Sequence, residues 1–547
     1  MSFEQMLTAH SSKLIAHSFL QLKCATQRAM SCPKDSFGEK QMPVNKKYFI
    51  LFTFLILIIS NRTMLKKFFI LLSVAVFILV AIVFINTFKT KAWPSHKAMA
   101  LEALPDSAIT HMSQAIQIAT ISPEDTTHID SIHFNQFRAF LEKAYPLVHQ
   151  HLTRTLIKNY SYIFEWKGTD TSLLPFILMG HYDVVPVEPS AVKLWTAKPF
   201  GGEVKNNIIW GRGSVDDKSN VISILEATEA LLRKGFTPKR TILLCFGHNE
   251  ESTGTGAIAI VKYLKEKHVK ADLVLDEGGE ITTDKIKGLK RPVAMIGVAE
   301  KGYVTFELSV EKAGGHSSKP DKETAIDILV KALYKLRNKK TPSTLQEPVK
   351  EFLHRASGSS ADFVNKLAMS NLWLFESTVK KILSYTPEGD AMLRTTIVPT
   401  ILESGVRENV IPSEAKAIVN SRININETTK DVQQFITDAI DDDRVKIKVV
   451  GDFNTEPSSV TSINSPAFKL MEETIYKTVD DAIPAPFIML GATDSRGYRE
   501  ISNGVVNFSP LIDSKGFHGI DERLPITDFQ RFFNFITLII KESDKKF

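Results

Sequence analysis

Two rhythms of apolar residues divide the chain. Between about residues 93 and 301, short continuous apolar runs alternate with stretches whose apolar residues recur every three or four positions. The runs PFILM (175–179), TILLCF (241–246) and DLVLD (272–276) are too short for helices and are flanked by turn residues, so they read as fully buried strands. Residues 220–232 and 258–264 carry the helical spacing. Strands alternating with helices predict an α/β domain, a doubly wound and mainly parallel sheet covered on both faces.

The rhythm then changes. YVTFELSV (303–310) alternates strictly, with Val304, Phe306, Leu308 and Val310 on one face, as a half-buried antiparallel strand does. A helix is expected near 324–335, then a polar and irregular stretch to about 390. Strand-like TTIVPTILE and EAKAIVNSRININ follow, then a helix over 430–440 and the strand VKIKVV. This order suggests an inserted α+β domain with one sheet face covered. Past about residue 451 the first rhythm resumes with FIML (487–490), VVNF (505–508) and a last helix near 527–541. That helix places Phe529, Phe532, Phe533, Ile536 and Ile540 on one face. The α/β domain is therefore expected in two parts, 95–301 and 452–547, separated by an insertion over 302–451.

Near the N-terminus the pattern is continuous. YFILFTFLILIIS (48–60) is short for a membrane span, whereas FFILLSVAVFILVAIVFINTF (68–88) is long enough. Lys66 and Lys67 precede it, so the positive-inside rule puts its N-terminal end in the cytoplasm and the body of the chain outside. It lacks a small-residue cleavage site and reads as an uncleaved transmembrane signal anchor over 66–89. Met64 followed by LKKFFILL has the form of an anchor's own start. Residues 1–63 are accordingly expected to be a poorly ordered extension, or to precede the true start of translation. The alternative, a two-span hairpin over 48–88, needs a tight turn at NRTMLKK and puts Arg62, Lys66 and Lys67 on the wrong side.

Composition narrows the classes. The 547 residues exceed one ordinary domain, and 44% hydrophobic with 23% charged residues describes a folded protein. The net charge of +6 owes much to basic residues near the N-terminus. No basic stripe interleaved with aromatics is present, so no nucleic-acid partner is expected. Cys24 and Cys32 lie upstream of the apolar segments, and Cys245 is alone in the body. That excludes an internal disulfide there and a thiolate zinc cluster.

The candidate chemistry sits at strand ends. His181 follows PFILMG, Glu250 and Glu251 follow TILLCFGHN, and Asp276 closes LVLD. Asp216 lies in the Gly-rich turn WGRGSVDDKS, and the distant His518 lies in KGFHGIDERLP. Open α/β sheets gather ligands in the crevice beyond their strand ends. Carboxylates and imidazoles are costly beside buried strands unless a cation compensates them, and zinc accepts this mixture. In HYD, Asp183 is spaced to orient the ring of His181, and one of the adjacent glutamates is free to act as general base. Taken singly each element has a plainer reading: the DD of VDDK suits a helix cap, EE a solvated loop, and His316 in AGGHSS a loop histidine. Their ordered occurrence carries the argument.

The segments LMGHYDVVPV, WGRGSVDDKS, FGHNEES, LDEGG, GGHSS, ENVIPSEAKAIVNSR, GATDSR and FHGIDERLP resemble the zinc exopeptidases and amidohydrolases of the carboxypeptidase S and aminoacylase family. The resemblance runs from about Ala98 to the C-terminus and is greatest to the membrane-anchored or secreted branch with carboxypeptidase S and the N-fatty-acyl-amino acid synthase/hydrolase. It implies two Zn²⁺ ions per subunit and a ferredoxin-like lid that often forms a homodimer. By motif position, His181 and Asp276 would hold one zinc, Glu251 and His518 the other, and Asp216 would bridge them. Glu277 is the alternative to Asp276. Glu250 would be the general base, Asp183 the orienting acid, and His316 the oxyanion stabiliser, often in the partner's centre. Asn409, Arg422 and Arg496 would bind substrate, with Arg496 suited to a carboxylate. The family's common HDEE followed by a glycine pair is here HNEE followed by Ser252-Thr253-Gly254, which keeps both glutamates and alters the loop beside them. The implied activity is hydrolysis of a small N-acyl amino acid, or of a peptide with a free carboxylate, by a membrane-anchored enzyme facing away from the cytoplasm.

Overall fold

A computed structural model of the chain describes residues 62–123, 129–283 and 288–545. The expected extension over 1–63, apart from its last two residues, and the apolar run 48–60 lie outside these. The chain divides into two compact units, the first ending at Ala81 and the second beginning at Ile82. The described part of the first belongs to the helix Arg62–Lys89, which is long and apolar enough to cross a membrane. Phe69, Leu71 and Phe77 on it are exposed.

In the second unit a nine-stranded sheet runs in the order Thr153–Ile157, Ser161–Trp166, Ile242–Gly247, Phe176–His181, Leu273–Asp276, Val505–Asn507, Val293–Glu300, Ile483–Met489, with Ile281–Thr282 beside Val293–Glu300. The apolar runs form the parallel centre of this sheet. The whole is mixed rather than uniformly parallel. Thr153–Ile157 and Ser161–Trp166 form a hairpin whose turn takes Lys158 and Asn159 at φ of 47° and 66°, and a hairpin can only be antiparallel. Val505–Asn507 enters between two strands laid down far earlier, so the last part of the chain completes the sheet of the first.

The helices Lys218–Arg233 and Ile526–Glu542 pack together on this sheet. Phe529, Phe532, Phe533, Ile536 and Ile540 are all buried, in one cluster with Phe176, Leu178 and Leu244. The helical period anticipated this face because a core-facing stripe must recur every three or four residues.

A second sheet is wholly antiparallel, in the order Thr396–Ser404, Glu414–Ile423, Gly302–Glu311, Lys446–Thr455. Val304, Phe306, Leu308 and Val310 are buried under Ile328, Leu329, Val432 and Ile436 of the helices Ala325–Asn338 and Thr429–Ile440. Both helices start with a capping box, Thr324 with Asp327 and Thr428 with Asp431. The stretch expected to be irregular up to about residue 390 is instead mostly helical: Glu347–Ser357, Phe363–Ser370, Leu372–Leu383 and Pro387–Leu393. These helices are short, and many of their apolar residues stay exposed, so no clean buried stripe marks them.

Candidate metal centre

The parallel strands end on one edge of the sheet, and the chemistry collects there. His181 is the last residue of its strand, Glu250 and Glu251 follow Ile242–Gly247, and Glu277 follows Leu273–Asp276. Asp216 is supplied by the turn preceding Lys218–Arg233, and His518 by the loop between Val505–Asn507 and Arg523–Pro525. That loop turns back on itself at Gly516, whose φ is 83°; a Cβ there would stand 2.4 Å from the backbone of Glu522.

Asp216 is shared. One carboxylate oxygen lies 3.0 Å from Nε2 of His181 and the other 2.8 Å from Nε2 of His518. Glu277 Oε1 completes the first group at 3.1 Å from His181, and Glu251 Oε2 the second at 3.0 Å from His518. The two groups, His181–Asp216–Glu277 and Asp216–Glu251–His518, each offer donor atoms within 4.8 Å of one another.

Of Asp276 and its alternative Glu277, it is Glu277 whose carboxylate lies beside His181. Asp276 ends the strand, and successive side chains there point in opposite directions. The Asp276 carboxylate accepts the Ser495 N–H at 3.0 Å. Asp183 lies behind His181, with Oδ1 3.2 Å from Nδ1. It also accepts the backbone N–H groups of Glu250 and Glu251, each at 3.1 Å, and the Ser122 hydroxyl at 2.6 Å. One buried carboxylate thus fixes both the imidazole and the glutamate turn.

Three further acids shape the centre and were not singled out from sequence, although each lies inside a motif that was. Asp217 accepts the His181 N–H at 3.1 Å. Glu522 accepts the N–H groups of Val215 and Asp216 at 2.8 and 3.1 Å and pairs with Arg212 at 2.6 Å. Asp494 lies over Gly247, where a Cβ would meet its Oδ2 at 2.4 Å. Their signal was an acidic residue in a Gly-rich segment, which does not by itself separate a support from a ligand.

Crowded buried acids raise one another's proton affinity. Burial, then the charge of Asp216, pushes Glu277 up to about 8, and burial pushes Asp276 up to about 6. Burial, with Glu277 and Asp494 nearby, also holds Glu250 well above the usual carboxylate range. Hydrogen bonds to Asp216 and Glu251 lift His518 to about 10. For Asp216, burial is outweighed by His181 and His518, which hold it low.

These residues fit divalent cations. Tetrahedral zinc with bonds near 2.0–2.2 Å separates its donors by roughly 3.3 Å, close to the spacings within both groups. Glu251 Oε1 is buried with no hydrogen-bond partner among the described residues, as a ligand oxygen awaiting a cation would be. Imidazole plus carboxylate suits zinc better than calcium or magnesium.

The remaining expected residues lie apart from this cluster. His316 is exposed on the two-residue strand Gly315–His316, which pairs with Val410–Ile411, and its Nδ1 accepts the Ser318 N–H at 3.1 Å. Asn409 is beside it, its carbonyl accepting the Ser317 N–H at 3.2 Å. Arg422 stacks over Tyr303 at 4.7 Å. The Arg496 guanidinium is bonded to Thr455, to the Lys301 carbonyl and, at 3.4 Å, to Glu300. Neither arginine touches the two donor groups in this structure.

Comparison with known proteins agrees with this architecture. Residues 177–542 match the peptidase family M20/M25/M40. The protein named Probable carboxypeptidase S-like 2 of Dictyostelium discoideum is 38% identical over 79% of this chain and 84% of its own length. The human N-fatty-acyl-amino acid synthase/hydrolase PM20D1 is 33% identical over 79% and 86%, and carboxypeptidase S of Saccharomyces cerevisiae 26% over 78% and 82%. Among solved structures, the M20 family metallo-carboxypeptidase Sso-CP2 of Sulfolobus solfataricus superposes with a TM-score of 0.61 at 19% identity, covering 80% of this chain and all of that one. Human carnosine dipeptidase 1 does so with 0.56 at 15% identity, over 80% and 96%. These last two share the fold. The chain belongs to peptidase family M20/M25/M40 and is a metal-dependent hydrolase of that family.

Proposed function

We propose that this protein is a dizinc amidohydrolase that cleaves small N-acyl amino acids. The observation that carries this reading is Asp216, whose two oxygens face two separate histidine–carboxylate groups. His181, Asp216 and Glu277 would hold one ion, and Asp216, Glu251 and His518 the other. Bound there, the cations would polarise the amide carbonyl and acidify the attacking water.

The chain's own residues do the rest. Glu250, next in the chain to Glu251 and held by its backbone N–H to Asp183, takes the water proton and passes it to the leaving nitrogen. The water oxygen bonds to the acyl carbon as the C–N bond breaks. One water proton reaches the nitrogen through Glu250, and the other passes from the new carboxylic acid to the amine, giving a carboxylate and an ammonium group. Asp183 keeps Glu250 in place through its backbone N–H and holds the His181 ring. Arg422 and Arg496 would receive the substrate's carboxylate, with Arg496 releasing its present partners.

His316 and Asn409 are exposed on the lid, the antiparallel domain read over residues 302–451, and would act in a partner subunit's centre. The edge strand Thr396–Ser404, with Ile401 and Leu402 exposed, favours such a homodimer. Residues 66–89 would anchor the enzyme, with Lys66 and Lys67 keeping the catalytic part outside the cytoplasm. The relatives' names favour two substrate classes, and C-terminal trimming of peptides is the second reading.

The full chain in detergent tests both. We expect two zinc ions per protomer and a higher kcat/KM for N-acyl amino acids than for dipeptides. Full activity with a single ion would sink the dizinc reading, and the reverse preference would select peptide trimming.

A further inference from the structure

The segment over 361–385 takes no part in the chemistry above. It forms two short helices, Phe363–Ser370 and Leu372–Leu383, joined at the buried Asn371. Their inner side chains, among them Met369, Phe375 and Val379, pack on Val349 and Leu353. Their outer side chains are largely open. Phe363, Val364, Trp373, Leu374, Ile382 and Tyr385 are exposed, Val364 to 69% and Tyr385 to 74%. On the second helix the outward stripe is Trp373, Leu374, Ser377, Thr378, Lys381 and Ile382, which holds one cation and no carboxylate. Single exposed apolar residues are ordinary, but a contiguous apolar face marks an interaction surface.

What covers this face follows from what the hairpin is tied to. The Phe363 ring lies 6.2 Å from both Phe84 and Phe88. Asn371 Nδ2 donates to the Thr87 hydroxyl at 3.1 Å and to the Val83 carbonyl at 3.2 Å, while its Oδ1 accepts from Asn86 at 3.1 Å. These partners form the last turns of the apolar segment 68–88. At 1.5 Å per residue that segment is roughly 31 Å long, the thickness of a hydrocarbon core. Its contacts with the hairpin begin within about 8 Å of its end. That depth is the boundary between headgroups and acyl chains, where Trp and Tyr are favoured and amphipathic helices lie flat. Lys381 can extend its ammonium to the headgroups, as can Lys89 and Lys91 at the segment's end.

We infer that residues 361–385 lie in the headgroup–acyl boundary of the bilayer crossed by the anchor, with the outer stripe against lipid. The inference rests on the anchor reading made above. It gives the unit that begins at Ile82 a membrane contact of its own, held through Asn371 to Val83, Asn86 and Thr87.

The test uses the full chain reconstituted in phosphatidylcholine vesicles, with and without lipid brominated on the acyl carbons next to the headgroup. Flotation reports the anchor, and tryptophan emission reports the hairpin. The chain has 5 tryptophans, so Trp373→Phe isolates the relevant one without removing an aromatic ring. Wild-type emission should fall in brominated lipid, and part of that fall should vanish in Trp373→Phe. Equal quenching of both proteins, in vesicles that carry them to the top of the gradient, overturns the hairpin inference and leaves the anchor standing. A chain that does not float overturns both. Unquenched Trp373 together with cross-linking between Val364→Cys protomers would assign the face to a second copy, which also overturns the inference.

Discussion

His518 Nε2 lies 2.8 Å from Asp216, although one residue precedes the strand Arg523–Pro525 and the other the helix Lys218–Arg233, far earlier in the chain. The contact closes the centre, because it brings the final loop onto a carboxylate whose other oxygen already faces His181. Replacing Asp216 with Asn should therefore impair both ions together, whereas His518→Ala should impair one. Metal analysis after dialysis should find near-complete loss in Asp216→Asn and about half in His518→Ala; identical contents would contradict a shared ligand.

Glu250 and Glu251 are neighbours to which the proposed mechanism gives different tasks. Glu250→Gln should lower kcat by about two to four orders of magnitude while leaving bound metal unchanged, as removal of a general base does. Glu251→Gln should lower metal content first. Parallel metal and kinetic measurements separate the two, and a metal-depleted Glu250→Gln would reassign that residue as a ligand.

Glu277, rather than Asp276, stands beside His181. Glu277→Gln should weaken metal binding at least tenfold, and Asp276→Asn considerably less, in competition titrations with a zinc chelator. The opposite order would restore Asp276 to the ligand position.

Metal-free protein should lose stability as pH rises. Glu277 has its folded value pushed up to about 8, by burial and then by Asp216, against an ordinary value of 4.5. The folded state thus holds a proton that the unfolded state has released, so stability falls between about pH 4.5 and 8. Asp276, raised to about 6, adds to the lower part of that window. His518, raised to about 10, acts in the same direction over a higher window: the stability it adds is complete below its unfolded value of 6.5 and is lost as pH rises from there through 10. The melting temperature of chelator-treated protein should drop by roughly 5 °C or more from pH 5 to pH 8, and zinc should remove most of the drop. A flat profile without metal would argue against the crowding of carboxylates.

Exposed His316 predicts complementation. His316→Ala and Glu250→Gln should each be nearly inactive alone. Mixed and reassembled, they should regain roughly a quarter of wild-type activity, since half of random dimers then hold one complete centre. No recovery in a demonstrated heterodimer would place the action of His316 in its own chain.

The parallel centre of the sheet was legible because buried strands such as PFILM and TILLCF must be continuously apolar. The final helix was legible because Phe529, Phe532, Phe533, Ile536 and Ile540 recur at the helical period. The helices over 347–393 were not, because exposed Trp373, Leu374 and Ile382 break the contrast between an inner and an outer face. Support by Glu522 was equally hidden, since nothing local in HGIDERLP reveals that its carboxylate reaches the backbone of Val215 and Asp216.

The sequence by itself determined the buried parallel strands, the last helix and the chemical types at the strand ends. Those follow from local periodicity and from the cost of placing acids beside buried strands. Only the tertiary structure decided which acid faces which histidine. The choice between Asp276 and Glu277 turns on the direction of a side chain at the end of a strand, and the recruitment of His518 on a loop folded tightly at Gly516. Which acid then meets which histidine depends on contacts between segments remote in the chain, His181 with Glu277 and His518 with Asp216, which no local pattern encodes.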